Sequence, residues 1–347
     1  MLLALLTRNG VNAAGKRFPI ASLTVKRAFS RSMSTPLLLS PSQLQQLLLS
    51  ESPTDSATKQ ISILDSSWFM PNSPRKANEE FQEKRIPGAQ FLDLDEVSSP
   101  HDLGLKHMIP SERHFTDVCE EFGIDPTSHV ILYDTHGVFS SPRALFMFRA
   151  FGHEKSSVLD GGLPRWEAEG FPIEAKPPVR ARKSVYPTPV FDKGMIRSYD
   201  QMVSNSFTDL HSDSAVELVV DARSRGRFLG TESEPRAGLS SGHIPHSFSL
   251  PFTAFLQTRT IPNSSVQYST FLSLPELRNA LVSHVGDHAE AVIQGKRPIT
   301  TSCGSGMTAG VLWLGLKLLG VQNVALYDES WTGYASRASS KIEKAAN

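Results

Sequence analysis

Two short apolar runs, Ile61-Ser62-Ile63-Leu64-Asp65 and Glu217-Leu218-Val219-Val220-Asp221, each end in an acid and open the same succession of segments. Roughly twenty residues further on stand Arg85-Ile86-Pro87-Gly88 and His243-Ile244-Pro245-His246, followed by the strand-like Gln90-Phe91-Leu92 and Ser247-Phe248-Ser249-Leu250. A helix-like stretch and a further apolar strand come next, Val130–Tyr133 in one copy and Pro298–Thr301 in the other. Each copy then has a loop, an amphipathic helix closed by Gly152 or Gly320, and a last strand, Ser157–Asp160 or Val324–Asp328. Glycine suits the residue just past a helix because the chain there turns left-handed. The Gly-to-Asp spacing is eight residues in both copies, and Trp166 and Trp331 follow soon after. Strands alternating with helices predict an α/β protein with mainly parallel sheets flanked by helices.

The duplication predicts two tandem domains, as the 347-residue length also suggests. Residues 175–191 carry Pro177, Pro178, Pro187 and Pro189 among basic residues, a composition that keeps a connector extended. The first domain is therefore placed at 36–174 and the second at 192–340.

Charge changes the picture only at the start of the chain. Lys plus Arg and Asp plus Glu both number 35, which gives no support for a nucleic-acid or anionic-membrane surface. Residues 1–35, however, hold Arg8, Lys16, Arg17, Lys26, Arg27 and Arg31 and no acid. A basic, Ser-containing, acid-free leader reads as a mitochondrial transit peptide, with Arg27-Ala28-Phe29-Ser30 resembling a cleavage site for the matrix. A start at Met33 would give a cytoplasmic product. No apolar run is long enough to span a bilayer. Two cysteines, Cys119 and Cys303, exclude a disulfide framework and a cysteine-built zinc site, and no metal or organic cofactor is implied.

The chemistry concentrates after the fourth strand of the second copy, in Cys303-Gly304-Ser305-Gly306-Met307-Thr308. Counting back from the shared glycine sets Thr135-His136-Gly137-Val138-Phe139-Ser140 opposite it, so only the second copy has a thiol. The first copy then reads as a scaffold. Gly304 and Gly306 permit unusual backbone angles, such turns aim amides inward as an anion nest, and a helix N-terminus begins near Thr308. Together these are expected to lower the pKa of Cys303 and to favour its thiolate. Cys119, in a predicted helix, has no such setting.

This loop, with Gly242-His243-Ile244-Pro245 and the duplication, resembles the tandem-rhodanese sulfurtransferases, and within them the branch that takes sulfur from 3-mercaptopyruvate, where Cys-Gly-Ser-Gly-Val-Thr is typical. The resemblance spans nearly all of residues 60–335. It implies two rhodanese-like domains, the second catalytic, and a persulfide on Cys303 that passes to thioredoxin, another thiol or cyanide. It implies that Arg227 and Arg236 hold the substrate's carboxylate and keto group, and that Gly304, Gly306, Met307 and Thr308 complete the binding loop. It also implies a proton relay of Ser305, His107 and Asp95, the last two reaching across from the first domain. An extra residue within 98–105 weakens the match at Asp95 more than at His107. Met307, His246 and Glu329 depart from the usual Val, Gly and Gly.

Thiosulfate-using relatives carry Arg and Lys just after the cysteine, whereas Gly304 and Ser305 are neutral, so a keto-acid donor is expected over thiosulfate. A cysteine phosphatase would need Arg at position 309, which is Ala. A relay module feeding sulfur to tRNA or protein thiolation would use the same Cys303, and the sequence leaves that alternative open.

Overall fold

The computed structural model describes residues 35–50, 61–209, 216–261 and 264–345; the leader read as a transit peptide lies almost wholly outside them. The first half contains strands β1 (Leu38–Leu39), β2 (Ile61–Asp65), β3 (Gln90–Phe91), β4 (His129–Tyr133) and β5 (Ser156–Leu159). The second contains β6 (Ile196–Arg197), β7 (Leu218–Asp221), β8 (Ser247–Ser249), a hairpin of β9 (Leu256–Thr260) and β10 (Gln267–Phe271), β11 (Ile299–Ser302) and β12 (Val324–Tyr327). Two five-stranded sheets form, ordered β1-β5-β4-β2-β3 and β6-β12-β11-β7-β8. The order is the same in both, and every pairing within them is parallel. The central strands are buried on both faces, as the unbroken apolar runs require.

The helices expected to be amphipathic, Ser141–Ala150 and Ala309–Leu318, are instead buried almost all round. Each lies against its own sheet and against the other helix, so neither has a solvent face to mark with polar residues. Phe146 meets Trp313 edge to face at 5.3 Å. A side chain on Gly310 would begin 2.8 Å from the Arg143 backbone nitrogen, so the two backbones approach closely there. This contact joins the two halves into one apolar cluster containing Leu132, Phe146, Trp313 and Leu326.

Residues 175–192 form no helix or strand. They are nonetheless tied down: Arg85 donates to the Lys176 carbonyl, Ser184 to that of Ile124, and the buried Tyr186 packs edge-on to Phe115.

Candidate active site

Cys303 follows β11 directly and is 2% exposed. Its amide donates to Ser330 Oγ at 3.1 Å, and that hydroxyl lies 3.9 Å from the sulfur. Its carbonyl accepts from Trp331 N–H at 2.9 Å. The amides of Gly304, Ser305, Gly306, Met307 and Thr308 donate to no acceptor among the described residues. Only Gly306 is left-handed, at φ +80°. Gly304, expected to be glycine for its backbone angle, is not left-handed; a Cβ there would lie 3.2 Å from Arg227 Nη2 and 3.5 Å from Arg236 Nη1, against the two guanidinium groups. Met307 points into the apolar cluster, while Thr308 is the residue from which the Ala309–Leu318 helix starts.

The first half holds the same loop with a different occupant, and the alignment that set Thr135 opposite Cys303 is out by one residue. Tyr133 pairs with Asp65 as Ser302 pairs with Asp221. The Asp134 carbonyl accepts from Leu163 N–H, as that of Cys303 does from Trp331. Asp134 therefore occupies the place of Cys303, and the first loop is one residue longer before its helix. Its carboxylate takes the amides of His136, Phe139, Ser140 and Ser141 at 2.9 to 3.1 Å, and the Ser141 hydroxyl at 2.6 Å. In this fold the turn between strand and helix demonstrably gathers amides around an anion.

A second group reaches the loop from the first half. His107 Nδ1 lies 3.1 Å from Ser305 Oγ, and its Nε2 lies 3.2 Å from Asp95 Oδ1. Nδ1 also lies 3.2 Å from the Ser305 carbonyl: a proton on Nε2, facing Asp95, leaves Nδ1 to accept the serine hydroxyl, whereas a proton on Nδ1 would go to that carbonyl. Trp68 Nε1 donates to the other Asp95 oxygen at 3.0 Å, and its ring meets the imidazole edge to face at 4.7 Å. The His107 hydrogen bond leads in holding the half-exposed Asp95 carboxyl below its usual pKa, with Trp68 assisting. Residues 98–105 form a turn-rich loop, and Ser305, His107 and Asp95 lie together.

The arginines are arranged unequally. Arg227 lies in a short helix, Arg225–Leu229, rather than in the expected loop, and pairs through Nε and Nη2 with the buried Glu234. Arg236, partly exposed, has no hydrogen-bond or ion-pair partner among the described residues. Arg223, to which the sequence assigned no role, is buried against Asp221 and Glu234 with its guanidinium 4.1 Å over the Trp331 ring. Burial works against its charge, but Asp221 and Glu234 more than offset that and hold its pKa above the ordinary arginine value. Sequence reasoning also passed over Trp68 and Ser330. Ser330 did carry a signal: its counterpart is Gly162, and both are left-handed, at φ +50° and +53°.

The rhodanese-like domain model matches residues 55–169 and 205–337. The chain belongs to the rhodanese family. It is 37% identical to the probable 3-mercaptopyruvate sulfurtransferase of Schizosaccharomyces pombe, over 82% of this chain and 89% of that protein. It is 37% identical to the mitochondrial thiosulfate/3-mercaptopyruvate sulfurtransferase 1 of Arabidopsis thaliana, over 82% and 74%. The crystal structure of the Tum1 protein from Saccharomyces cerevisiae superposes with a TM-score of 0.73 at 28% identity, over 90% of this chain and all of that one. This rhodanese is a sulfur-transferring enzyme.

Its departures from the family pattern have local causes. His246 is left-handed, at φ +61°, and its counterpart Gly88 has φ +74°, so the usual glycine supplies that angle. Glu329 sits at an ordinary helical φ and pairs with Arg337, so this position needs no glycine.

Asp65 and Asp221 occupy matching strand ends, but only Asp221 has an arginine; Ser67 stands where Arg223 does. Burial, without a cation, lifts Asp65 to about 7. Its folded pKa exceeds its unfolded one, so this group's contribution to stability falls as pH rises from about 4 to about 7. Asp65→Asn is therefore expected to be more stable than the parent at pH 8, by on the order of 1–4 kcal/mol, and to gain little at pH 4. Urea unfolding of both proteins at the two pH values checks this; an equal difference at both would refute it.

Proposed function

We propose that this enzyme moves sulfur from 3-mercaptopyruvate through a persulfide on Cys303 to a thiol acceptor such as thioredoxin, another thiol or cyanide. The observation that carries the reading is the pair of matched loops. Where the first half places the Asp134 carboxylate among inward amides, the second places a thiol beside amides that lack an acceptor among the described residues. Such a cradle favours a thiolate and, after transfer, a persulfide anion.

In the first step the Cys303 thiolate attacks the donor's thiol sulfur. The S–S bond forms, the carbon–sulfur bond breaks, and its electron pair leaves on the pyruvate enolate. One proton then completes pyruvate; the donor's thiol gives one up as its sulfur becomes the persulfide anion, and we read His107, with Nδ1 open to accept, and Ser305 as the pair that carries it across. Asp95, itself held by Trp68, faces Nε2 and favours the tautomer that this role requires. In the second step an acceptor thiolate or cyanide removes the outer sulfur and restores the Cys303 thiolate. Neither step needs a metal or an organic cofactor.

Arg236, with Arg227 beside it, matches a single carboxylate through paired hydrogen bonds. The neutral Gly304 and Ser305 favour the keto acid over thiosulfate, although the Arabidopsis relative's name includes both donors. Delivery to a relay partner for tRNA or protein thiolation would use the same persulfide. The acid-free leader and the mitochondrial relative support a mitochondrial location, with a start at Met33 giving a cytoplasmic form. Among the described residues no helix is long and apolar enough to cross a membrane.

The test is mass spectrometry of the intact protein after treatment with 3-mercaptopyruvate. A gain of about 32 mass units, mapped to Cys303 and removed by a dithiol, is expected. No gain, or a gain at Cys119, would overturn the reading.

A further inference from the structure

The two halves exchange arms. Between β3 and the helix Glu112–Glu121 the first half sends out the segment that carries Asp95, His107 and Ile109. Between β8 and the helix Leu274–Val285 the second half sends out the β9–β10 hairpin. Each arm crosses to the other half, and each is caught by the acid that follows that half's last strand. Asp328, after β12, accepts Ile109 N–H at 2.8 Å. Asp160, after β5, accepts Phe271 N–H at 2.9 Å. Each acid is also paired with an arginine, Asp328 with Arg143 at 2.6 Å and Asp160 with Arg165 at 2.9 Å.

The symmetry ends at what the arms carry. The first arm brings His107 to Ser305, and His107 is left-handed, at φ +64°. That conformation is unfavourable for a residue with a side chain and persists only where its surroundings enforce it. The chain from the His107 carbonyl to the Ile109 amide is held by one ion pair. Arg143 Nη2 donates to the His107 carbonyl as well as to Asp328 Oδ1, while Asp328 Oδ2 holds the amide two residues on. The same pair also borders the catalytic loop: a Cβ on Gly306 would meet the Asp328 carbonyl at 2.9 Å and Arg143 Nη1 at 3.5 Å. Arg143 and Asp328 are buried, so little water competes for these bonds.

We infer that Arg143 and Asp328 are positioning residues for the reaction: they lock the strained His107 backbone so that its imidazole faces Ser305. The inference rests on the sulfur-transfer reading above for what His107 does, but not for where it is held. Asp160 makes the matching amide contact on an arm without a catalytic group, and so supplies an internal control.

The experiment compares Asp328→Asn, Arg143→Lys and Asp160→Asn with the parent enzyme. Arg143→Lys keeps the ion pair but cannot also reach the His107 carbonyl, and serves if Asp328→Asn does not fold. For Asp328→Asn a fall in kcat of about 10- to 100-fold is expected, with KM for 3-mercaptopyruvate within about threefold, because the carboxylate site is untouched. Arg143→Lys should lower kcat about tenfold, and Asp160→Asn should leave it within about twofold. Nitrogen-15 shifts of the His107 ring report its tautomer without turnover: the parent should show one tautomer, and the first two variants a mixture. Equal kcat losses in Asp328→Asn and Asp160→Asn, or an unchanged His107 tautomer in both clamp variants, would overturn the inference. A parent enzyme that takes up no sulfur on Cys303 would defeat the sulfur-transfer reading, while the tautomer comparison would still decide the clamp.

Discussion

Cys303→Asp is expected to fold, to be more stable than Cys303→Ala, and to transfer no sulfur. On the proposed mechanism Cys303 is the nucleophile, and its loss removes the step to which every other group contributes, so turnover should fall by about 10⁴-fold or more. The stability expectation comes from the first half of the molecule. There an aspartate already occupies the matching position, with its carboxylate among four amides and one hydroxyl. Charge-assisted hydrogen bonds of that kind exceed neutral ones, but the buried charge must be desolvated, so a net advantage of about 1–2 kcal/mol over alanine is expected. Denaturant unfolding and a sulfur-release assay measure the two parts separately. An aspartate variant less stable than the alanine one would show that the second loop is not the anion holder its counterpart is.

Arg236→Ala should lower kcat/KM for 3-mercaptopyruvate by roughly 10- to 150-fold with stability unchanged. Its guanidinium faces Gly304 with no protein partner among the described residues, so its loss strands no buried charge. Arg227→Ala should differ. Its partner Glu234 is buried and shared with Arg223, so removing Arg227 leaves that carboxylate with one cation fewer and lowers stability as well as activity. Donor kinetics and thermal unfolding of both variants separate the cases. An Arg236→Ala enzyme with unaltered use of the keto acid would remove Arg236 from the carboxylate site.

The duplication was legible in the chain because both sheets obey one pattern of apolar runs and turn glycines, and β-strand burial depends on the identity of a few neighbouring residues. The loop of the proposed nucleophile was legible for a related reason: a strand end, two glycines and a helix start lie within six residues, so their geometry is local. Local spacing misled where the two halves meet. The helices Ser141–Ala150 and Ala309–Leu318 read as amphipathic, but packing against one another removed their solvent faces. The one-residue difference between the loops hid that Asp134, not Thr135, is the counterpart of Cys303, because only strand register fixes which residues correspond.

Cys303 and its loop, and the strand and turn pattern that repeats, are thus properties of the sequence itself, since each rests on residues close together in the chain; that Arg227 and Arg236 lie against Gly304 was not. The order of the site came from tertiary structure. His107 and Ser305 are separated by 198 residues, and Arg143 and Asp328 by 185. No periodicity spans such distances: the docking of the two halves brings Arg143 to Asp328, and the arm that crosses that junction brings His107 to Ser305.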